Sequence, residues 1–242
     1  MNEKRSISEM TREEKVYLIQ LAEKAEQWED MLNFMREFLK DVTDLNPAEQ
    51  TLFLSAYKIS ANNLRAEIRG LTAVEENLSS ENINTDQLRE IRNRLWVDLT
   101  ALCKEANENI EKLLVPELDC RSEILYRKLK GDFIRYVLDN LKDHKEKTAE
   151  IKAMMDQYKR AIKMASPKND FNPTDPLVLS VSINYAVALY EVSNTPHEAV
   201  SLLSNILNSA IQNIRDIKSE NFKEVSSLLQ CMRDNIAMWT ST

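Results

Sequence analysis

Asn46–Leu78 reads NPAEQTLFLSAYKISANNLRAEIRGLTAVEENL. Asn46 is a helix cap, Pro47 takes the first helical position, where a missing N–H costs nothing, and Glu49 follows early. The stretch therefore predicts a helix reaching about Leu78. At about 100° per residue, Lys58, Arg65 and Arg69 stand at i, i+7 and i+11, within about 20° of one line. They form a cationic ridge. Tyr57, Leu64 and Ile68 lie about 80 to 120° round the helix and supply its apolar face. Three cations in register repel one another, a cost that a bound anion offsets and that water also tolerates. On spacing alone, a solvated face is the commoner reading.

The same signals extend outward to about nine helices, with no alternating strand, so the fold class is all-α. Thr11-Arg12-Glu13-Glu14 is a capping box opening a helix to about Ala25, and a second helix runs from about Gln27 to Asp44. After the long helix, 79–84 reads as a loop. Thr85 then caps a helix to about Leu114, stopped by Pro116, and a fifth spans about Arg121 to Lys142. A sixth covers about Glu146 to Ser166. The segment 167–176 holds three prolines and reads as the clearest linker, a candidate divider of two subdomains. Beyond it come helices at about Leu177 to Ser193, Pro196 to Lys218 with Thr195 as cap, and Glu220 to Thr240. Short connections imply antiparallel neighbours, and no consensus recurs at a fixed period.

Composition closes off several function classes. The 242 residues include only 2 Gly. Phosphate-cradling loops and dinucleotide fingerprints need glycine where backbone approaches a ligand, so a nucleotide-binding α/β enzyme is excluded. At 43% hydrophobic and 29% charged the chain has enough apolar surface to fold. A net charge of −7 disfavours nucleic acid and anionic membrane as partners, so any basic site must be local. Cys103, Cys120 and Cys231 lack metal-ligand spacing, and the start MNEKRSIS has no apolar signal core. The expected location is cytoplasmic, with nuclear access open. The longest uncharged runs, Pro176 to Tyr190 and Ala199 to Ile214, fall short of a membrane span. The histidines, His144 and His197, form no Glu-x-x-His pair and join no cysteine cluster, so neither catalysis nor a metal or cofactor is expected.

A second basic group lies on the fifth helix, where Lys128 and Arg135 stand at i and i+7 and Tyr136 follows. A phosphate suits planar Arg forks, a Lys point charge and a hydroxyl donor. The alternative is a core Tyr136 beside an Arg135 paired to a carboxylate. Asn184, Val187 and Glu191 lie at i, i+3 and i+7, with Ile183 at the edge of that face. The last helix carries Leu228, Cys231, Asn235, Met238 and Trp239 in one stripe. Each stripe is apolar with one amide in it. Such an Asn can bond an extended peptide's backbone, although an Asn bonded within the core is the commoner case by periodicity.

At these residues, and from about Thr11 to Ser241, the chain resembles the 14-3-3 proteins. The resemblance is carried by Ser55-Ala-Tyr-Lys58 with Arg65 and Arg69, by Lys128-Leu-Lys-Gly-Asp-Phe-Ile-Arg135-Tyr136, by Asn184 with Glu191, and by Arg233-Asp-Asn235-Ile-Ala-Met-Trp239-Thr-Ser. It implies a single domain over 1–242 of nine antiparallel helices forming a cup with a concave peptide-binding groove. Residues 1–115 would be the dimerisation half and 116–242 the groove half. The implied function is that of a non-catalytic adaptor for phosphoserine or phosphothreonine segments of client proteins. Lys58, Arg65, Arg135 and Tyr136 would hold the phosphate, and Asn184 and Asn235 the peptide backbone. Lys128, Glu191 and Trp239 would line or support the groove, together with Ile183, Val187, Leu228, Cys231 and Met238. Leu21, Ala25, Leu71 and Val74 keep an apolar character at the expected homodimer or heterodimer face, where Asp30 and Arg94 offer an ion pair. Departures from the family pattern are Ser227 and Cys231, smaller and more polar than the usual aliphatic groove wall, and Gln27 and Glu67 at the dimer face. A looser dimer is expected from the last two. The competing reading is a helical scaffold for unmodified peptides or helices.

Overall fold

The computed structural model describes residues 6–81, 83–217 and 219–241, less the side chains of residues 80 and 216. Among these the chain is all-α, with nine α-helices and no strand: α1 Arg12–Lys24, α2 Trp28–Leu39, α3 Pro47–Ser80, α4 Asp86–Leu113, α5 Cys120–Val137, α6 His144–Met164, α7 Pro176–Glu191, α8 Pro196–Gln212 and α9 Phe222–Thr240.

The caps explain most of the starts. Thr11 and Glu14 exchange bonds in a capping box, and so do Asn46 and Glu49. Asp119, Asp143 and Asp175 cap α5, α6 and α7 through their carboxylates. Two expected caps differ. Thr85 and Thr195 occupy the cap positions, but neither side chain caps. Asn84 Oδ1 takes the Asp86 N–H at 2.8 Å instead, and Thr195 Oγ1 donates to the Leu189 carbonyl.

Three helices end well short of where the sequence predicts. α2 stops at Leu39 rather than Asp44, because Asp41 and Asp44 turn back to pair with Lys15 and Arg12 of α1. α5 stops at Val137 and tightens into a 3-10 turn, Leu138–Asn140, where Asp139 and Asn140 favour turn over helix. α8 stops at Gln212, where the Asn213 amide donates to the Ser209 carbonyl, and the expected end at Lys218 lies outside the described residues.

Contacts divide the chain into two compact units, Met1–Val115 and Pro116–Thr242. In the first, α1 packs on α2, α2 on α3 and α3 on α4 around Ile19, Met31, Met35, Phe38, Phe53, Tyr57, Leu99 and Ile110. Its buried charges are paired: Glu49 receives Arg12 at 2.6 Å, Lys15 meets Asp41, and Glu75 meets Arg89 and Arg92. Hydrogen bonds from Arg12 hold the Glu49 carboxyl below its usual range. α1 closes with a Schellman motif: Gln27 N–H reaches the Ala22 carbonyl at 2.9 Å and Glu26 N–H the Glu23 carbonyl at 3.1 Å. The turn places Glu26 at φ 54°, the left-handed region that favours glycine.

In the second unit α5 packs on α6 and α7, and α8 and α9 close over α7, around Ile124, Met154, Tyr158, Leu179, Val181, Leu203, Val225 and Met232. The proline-rich segment 167–176 is not a divider. Phe171 and Thr174 are buried, and Asp175 pairs with Arg121 of α5 at 2.7 Å, so the segment is packed into this unit. One close approach sets the α5–α6 spacing: a Cβ on Gly131 would lie 2.8 Å from the Tyr158 ring.

Two stability predictions follow from these geometries. Glu26→Gly relieves a left-handed conformation that costs an L-residue roughly 1 to 2 kcal/mol, less the entropy glycine adds to the unfolded chain. It should therefore stabilise by about 0.5 to 1 kcal/mol and raise the urea midpoint; an unchanged or lower midpoint would contradict the reading. Gly131→Ala forces Tyr158 or the helices apart, an overpacking cost of roughly 1 to 3 kcal/mol. Equal denaturation curves for Gly131→Ala and wild type would mean the contact is not tight.

Candidate functional site

In the first unit, α3 turns Tyr57 and Ile68 into the core and leaves Lys58 and Arg65 half-buried, with Arg69 exposed. Tyr57 is anchored at its hydroxyl, which donates to Glu105 at 2.7 Å and accepts from Asn109 at 3.0 Å. Glu105 also receives the Arg36 guanidinium at 2.7 Å. The buried Cys103 thiol is pushed up to about 12 by burial, against the opposing field of Arg65. The three cations therefore stand on a helix whose inner face is fixed by a hydrogen-bonded tyrosine.

The second unit centres on a residue not singled out from the sequence. Asp132 of α5 is fully buried. Its Oδ2 accepts from Lys128 Nζ at 3.0 Å, and its Oδ1 accepts from Tyr158 OH and from Asn184 Nδ2, each at 2.6 Å. Lys128 itself is only 6% exposed, so its ammonium is turned to this carboxylate. Burial, and then the adjoining carboxylate, push the Tyr158 hydroxyl well above its usual value and keep it a donor. The available signal was the Lys128/Asp132 spacing of four on a helix, which by itself reads as a surface ion pair.

Arg135 lies one turn on from Asp132, with its guanidinium over the Tyr136 ring at 5.7 Å and Glu191 of α7 at 3.7 Å. Its side chain is 18% exposed, and its Nε is buried without a hydrogen-bond partner. Burial pulls its pKa down, but its polar surroundings, the Asp132 carboxylate among them, outweigh this and hold it above its usual value, so it stays charged. Tyr136 is buried, edge-on to Phe133 at 6.0 Å. Within this unit the fold thus joins Lys128, Asn184, Arg135, Tyr136 and Glu191 into one connected cluster.

The two remaining stripes are sorted by burial. Ile183 is buried, Val187 half-buried and Glu191 exposed. Trp239 is buried, stacked on Tyr190 with ring centroids 4.6 Å apart and 11° between planes. Leu228 and Asn235 are half-buried, while Cys231 and Met238 are exposed. Ser226, Ser227, Gln230, Cys231, Asp234 and Asn235 line a shallow depression of about 520 Å³ along α9. No large aliphatic side chain is among these six.

The expected association face of the first unit is open. Leu21 is 51% and Val74 46% exposed, and Tyr17 and Val97, which the sequence reading passed over, reach 64% and 66%. Ala25, Asp30 and Glu67 are exposed and Leu71 is half-buried. Arg94 pairs with Glu90 on its own helix at 3.8 Å. Among the described residues no group of three or more His, Cys, Asp or Glu could hold a metal, and both histidines are exposed. Among the described residues no helix is long and apolar enough to cross a membrane.

The family model described as 14-3-3 protein matches residues 18–240. Among curated relatives, the 14-3-3-like protein B of Hordeum vulgare is 32% identical over 240 residues, covering 97% of this chain and 90% of its own. The 14-3-3 family protein artA of Aspergillus flavus is 31% identical, covering 96% of this chain and 98% of its own. The 14-3-3-like protein GF14 psi of Arabidopsis thaliana is 32% identical, covering 96% and 91%. With a family model matched over residues 18–240 and relatives matched nearly end to end, this chain belongs to the 14-3-3 family.

Proposed function

We propose that the protein is a non-catalytic adaptor that binds phosphoserine- or phosphothreonine-containing segments of client proteins. In this reading Lys58, Arg65, Arg135 and Tyr136 hold the phosphate, and Asn184 and Asn235 bond the peptide backbone. Ile183, Val187, Glu191, Leu228, Cys231 and Met238 face the bound segment, while Lys128 and Trp239 support the wall. Family membership supports the adaptor role. The observation that carries the phosphate reading is Arg135: a largely buried guanidinium with a buried N–H left without a hydrogen-bond partner and its nearest ion pair stretched to 3.7 Å. Buried donors are normally satisfied, and an incoming phosphate offers three acceptor oxygens and about −1.5 to −2 charges.

Phosphate dependence separates this reading from a scaffold for unmodified peptides. One peptide titrated with and without its phosphate should bind the wild type only in the phosphorylated form. Arg65→Glu or Arg135→Glu should cost several kcal/mol of complex stability, because charge-assisted bonds worth roughly 1.5 to 3 kcal/mol each become repulsions. Calorimetry giving equal affinity for wild type and Arg65→Glu, with circular dichroism unchanged, would sink the assignment.

The protein works as a homodimer or heterodimer in the cytoplasm, associating through the exposed apolar set Tyr17, Leu21, Val74 and Val97 of the first unit. Large apolar side chains left this exposed in water favour association. Glu67 opposes it, since a carboxylate desolvated without a partner costs several kcal/mol, far more than the roughly 0 to 1 kcal/mol of one exposed ion pair. Sedimentation at micromolar concentration should show a tighter dimer for Glu67→Ser than for wild type, the difference shrinking in high salt. A wild type fully dimeric at nanomolar concentration and indifferent to the substitution would refute it.

A further inference from the structure

The formal net charge of −7 lies wholly within the first unit, residues 1–115, and the second unit is balanced. Within that balance α6 stands out. Its inner face, Met154, Met155, Tyr158 and Ala161, is buried in the core of the unit, while Lys145, Lys152, Lys159 and Lys163 are all exposed. At about 100° and 1.5 Å per residue, these four lie within about 40° of one line and span about 27 Å. Among the described residues none of the four makes an ion pair, and Asp156, the carboxylate beside the row on α6, pairs with none of them. A lysine row is ordinarily a solvated face, but here two positions work against the helix that carries them. Lys145 is the second residue of α6, in the turn where the helix dipole disfavours a cation. Lys159 and Lys163 are like charges at i and i+4, a destabilising pair. Lys163 alone suits the C-terminal turn. The row therefore weakens its own helix slightly, and nothing among the described residues answers its charge.

We propose that this row is a second interaction surface, a docking strip for an acidic, Asp/Glu-rich segment of a partner protein. It shares no residue with the phosphate site and does not depend on it. The chemistry selects a chain of carboxylates over other polyanions. A lysine ammonium is a point charge that meets one carboxylate oxygen and lacks the fork that grips phosphate bidentately. Single-stranded nucleic acid is held on aromatic platforms, and a membrane surface by apolar anchors. α6 offers neither: its one tyrosine, Tyr158, is buried, and none of the exposed large apolar side chains lies on it. Successive lysines are spaced by about a Debye length or less, and each pair in water is worth little, so the contact is weak, cumulative and sensitive to salt.

The test uses the full chain and labelled polyglutamate of about 20 residues, long enough to span the row even as a helix, with binding followed by fluorescence anisotropy at low salt. The variant is Lys145→Glu with Lys159→Glu. Both changes favour the helix, the first at its N-terminus and the second by pairing with Lys163 four residues on, so the variant should melt no lower than wild type. Its affinity for polyglutamate should nonetheless fall about tenfold, because two attractions become repulsions. Wild-type binding should fade as salt rises above physiological strength. The same charge change on exposed lysines of the first unit, Lys40→Glu with Lys112→Glu, should stay within about twofold of wild type. Equal binding by wild type and the α6 variant, or an equal loss in the first-unit variant, overturns the proposal. Loss in Arg135→Glu with the α6 variant unaffected would seat the peptide at the phosphate site and overturn it too. So would tighter capture, through the same lysines, of an oligothymidylate or of phosphatidylserine vesicles.

Discussion

A carboxylate with no access to water must have its lone pairs occupied, and the second unit is arranged around meeting that demand at Asp132. Lys128 comes from the preceding turn of the same helix, Tyr158 from α6 and Asn184 from α7. Removing any one donor leaves charge uncompensated in a dry site, so the three helices are tied to one relative register. Gly131 is part of the same constraint, because Tyr158 reaches the carboxylate only by passing its ring over a residue without a Cβ. Such networks add little net stability over apolar packing, but a mispaired alternative is expensive, so they select one arrangement. Arg135 and Tyr136 follow Asp132 one helical turn later and inherit its fixed frame.

The first unit meets the same demand with separate pairs. Glu49 with Arg12, Lys15 with Asp41, Glu75 with Arg89 and Arg92, and Glu105 with Arg36 each bind one helix to another or to its own flanking segment. Two of them have a visible structural consequence. Asp41 and Asp44 end α2 by reaching back to α1, and Glu105 fixes the Tyr57 hydroxyl beneath the Lys58 ridge.

Local chemistry made much of this legible from sequence. Thr11 with Glu14, and Asn46 with Pro47 and Glu49, announce their helices because a cap is satisfied within four residues. The helical periodicity of Tyr57 and Ile68 placed both in the core correctly. What was not legible depends on partners distant in the chain. Asp132 and Lys128 four residues apart look like a solvated pair until Tyr158 and Asn184, 26 and 52 residues away from Asp132, enclose the carboxylate. Trp239 shares a stripe with exposed Met238, yet stacking on Tyr190 buries it. The prolines of 167–176 read as a hinge, but the buried Phe171 and the Asp175–Arg121 pair that pack the segment down are tertiary. Thr85 and Thr195 fail as caps because neighbouring groups offer alternatives that a residue-type preference does not weigh.

The charge balance narrows what a basic site in this chain can capture. With a net charge of −7, an extended polyanion meets repulsion from most of the surface, and salt screens only beyond about 8 to 10 Å. A single phosphate on a peptide samples only the nearest charges. At short range a partly desolvated guanidinium outweighs many distant carboxylates, because the effective dielectric falls with burial while the distant terms stay in water. Arg135, 18% exposed and with one N–H unanswered, is such a group, whereas Arg69 and Arg94 on the surface are not. The overall negative charge thus disfavours extended polyanions more than it disfavours a small, isolated anion at a local basic site.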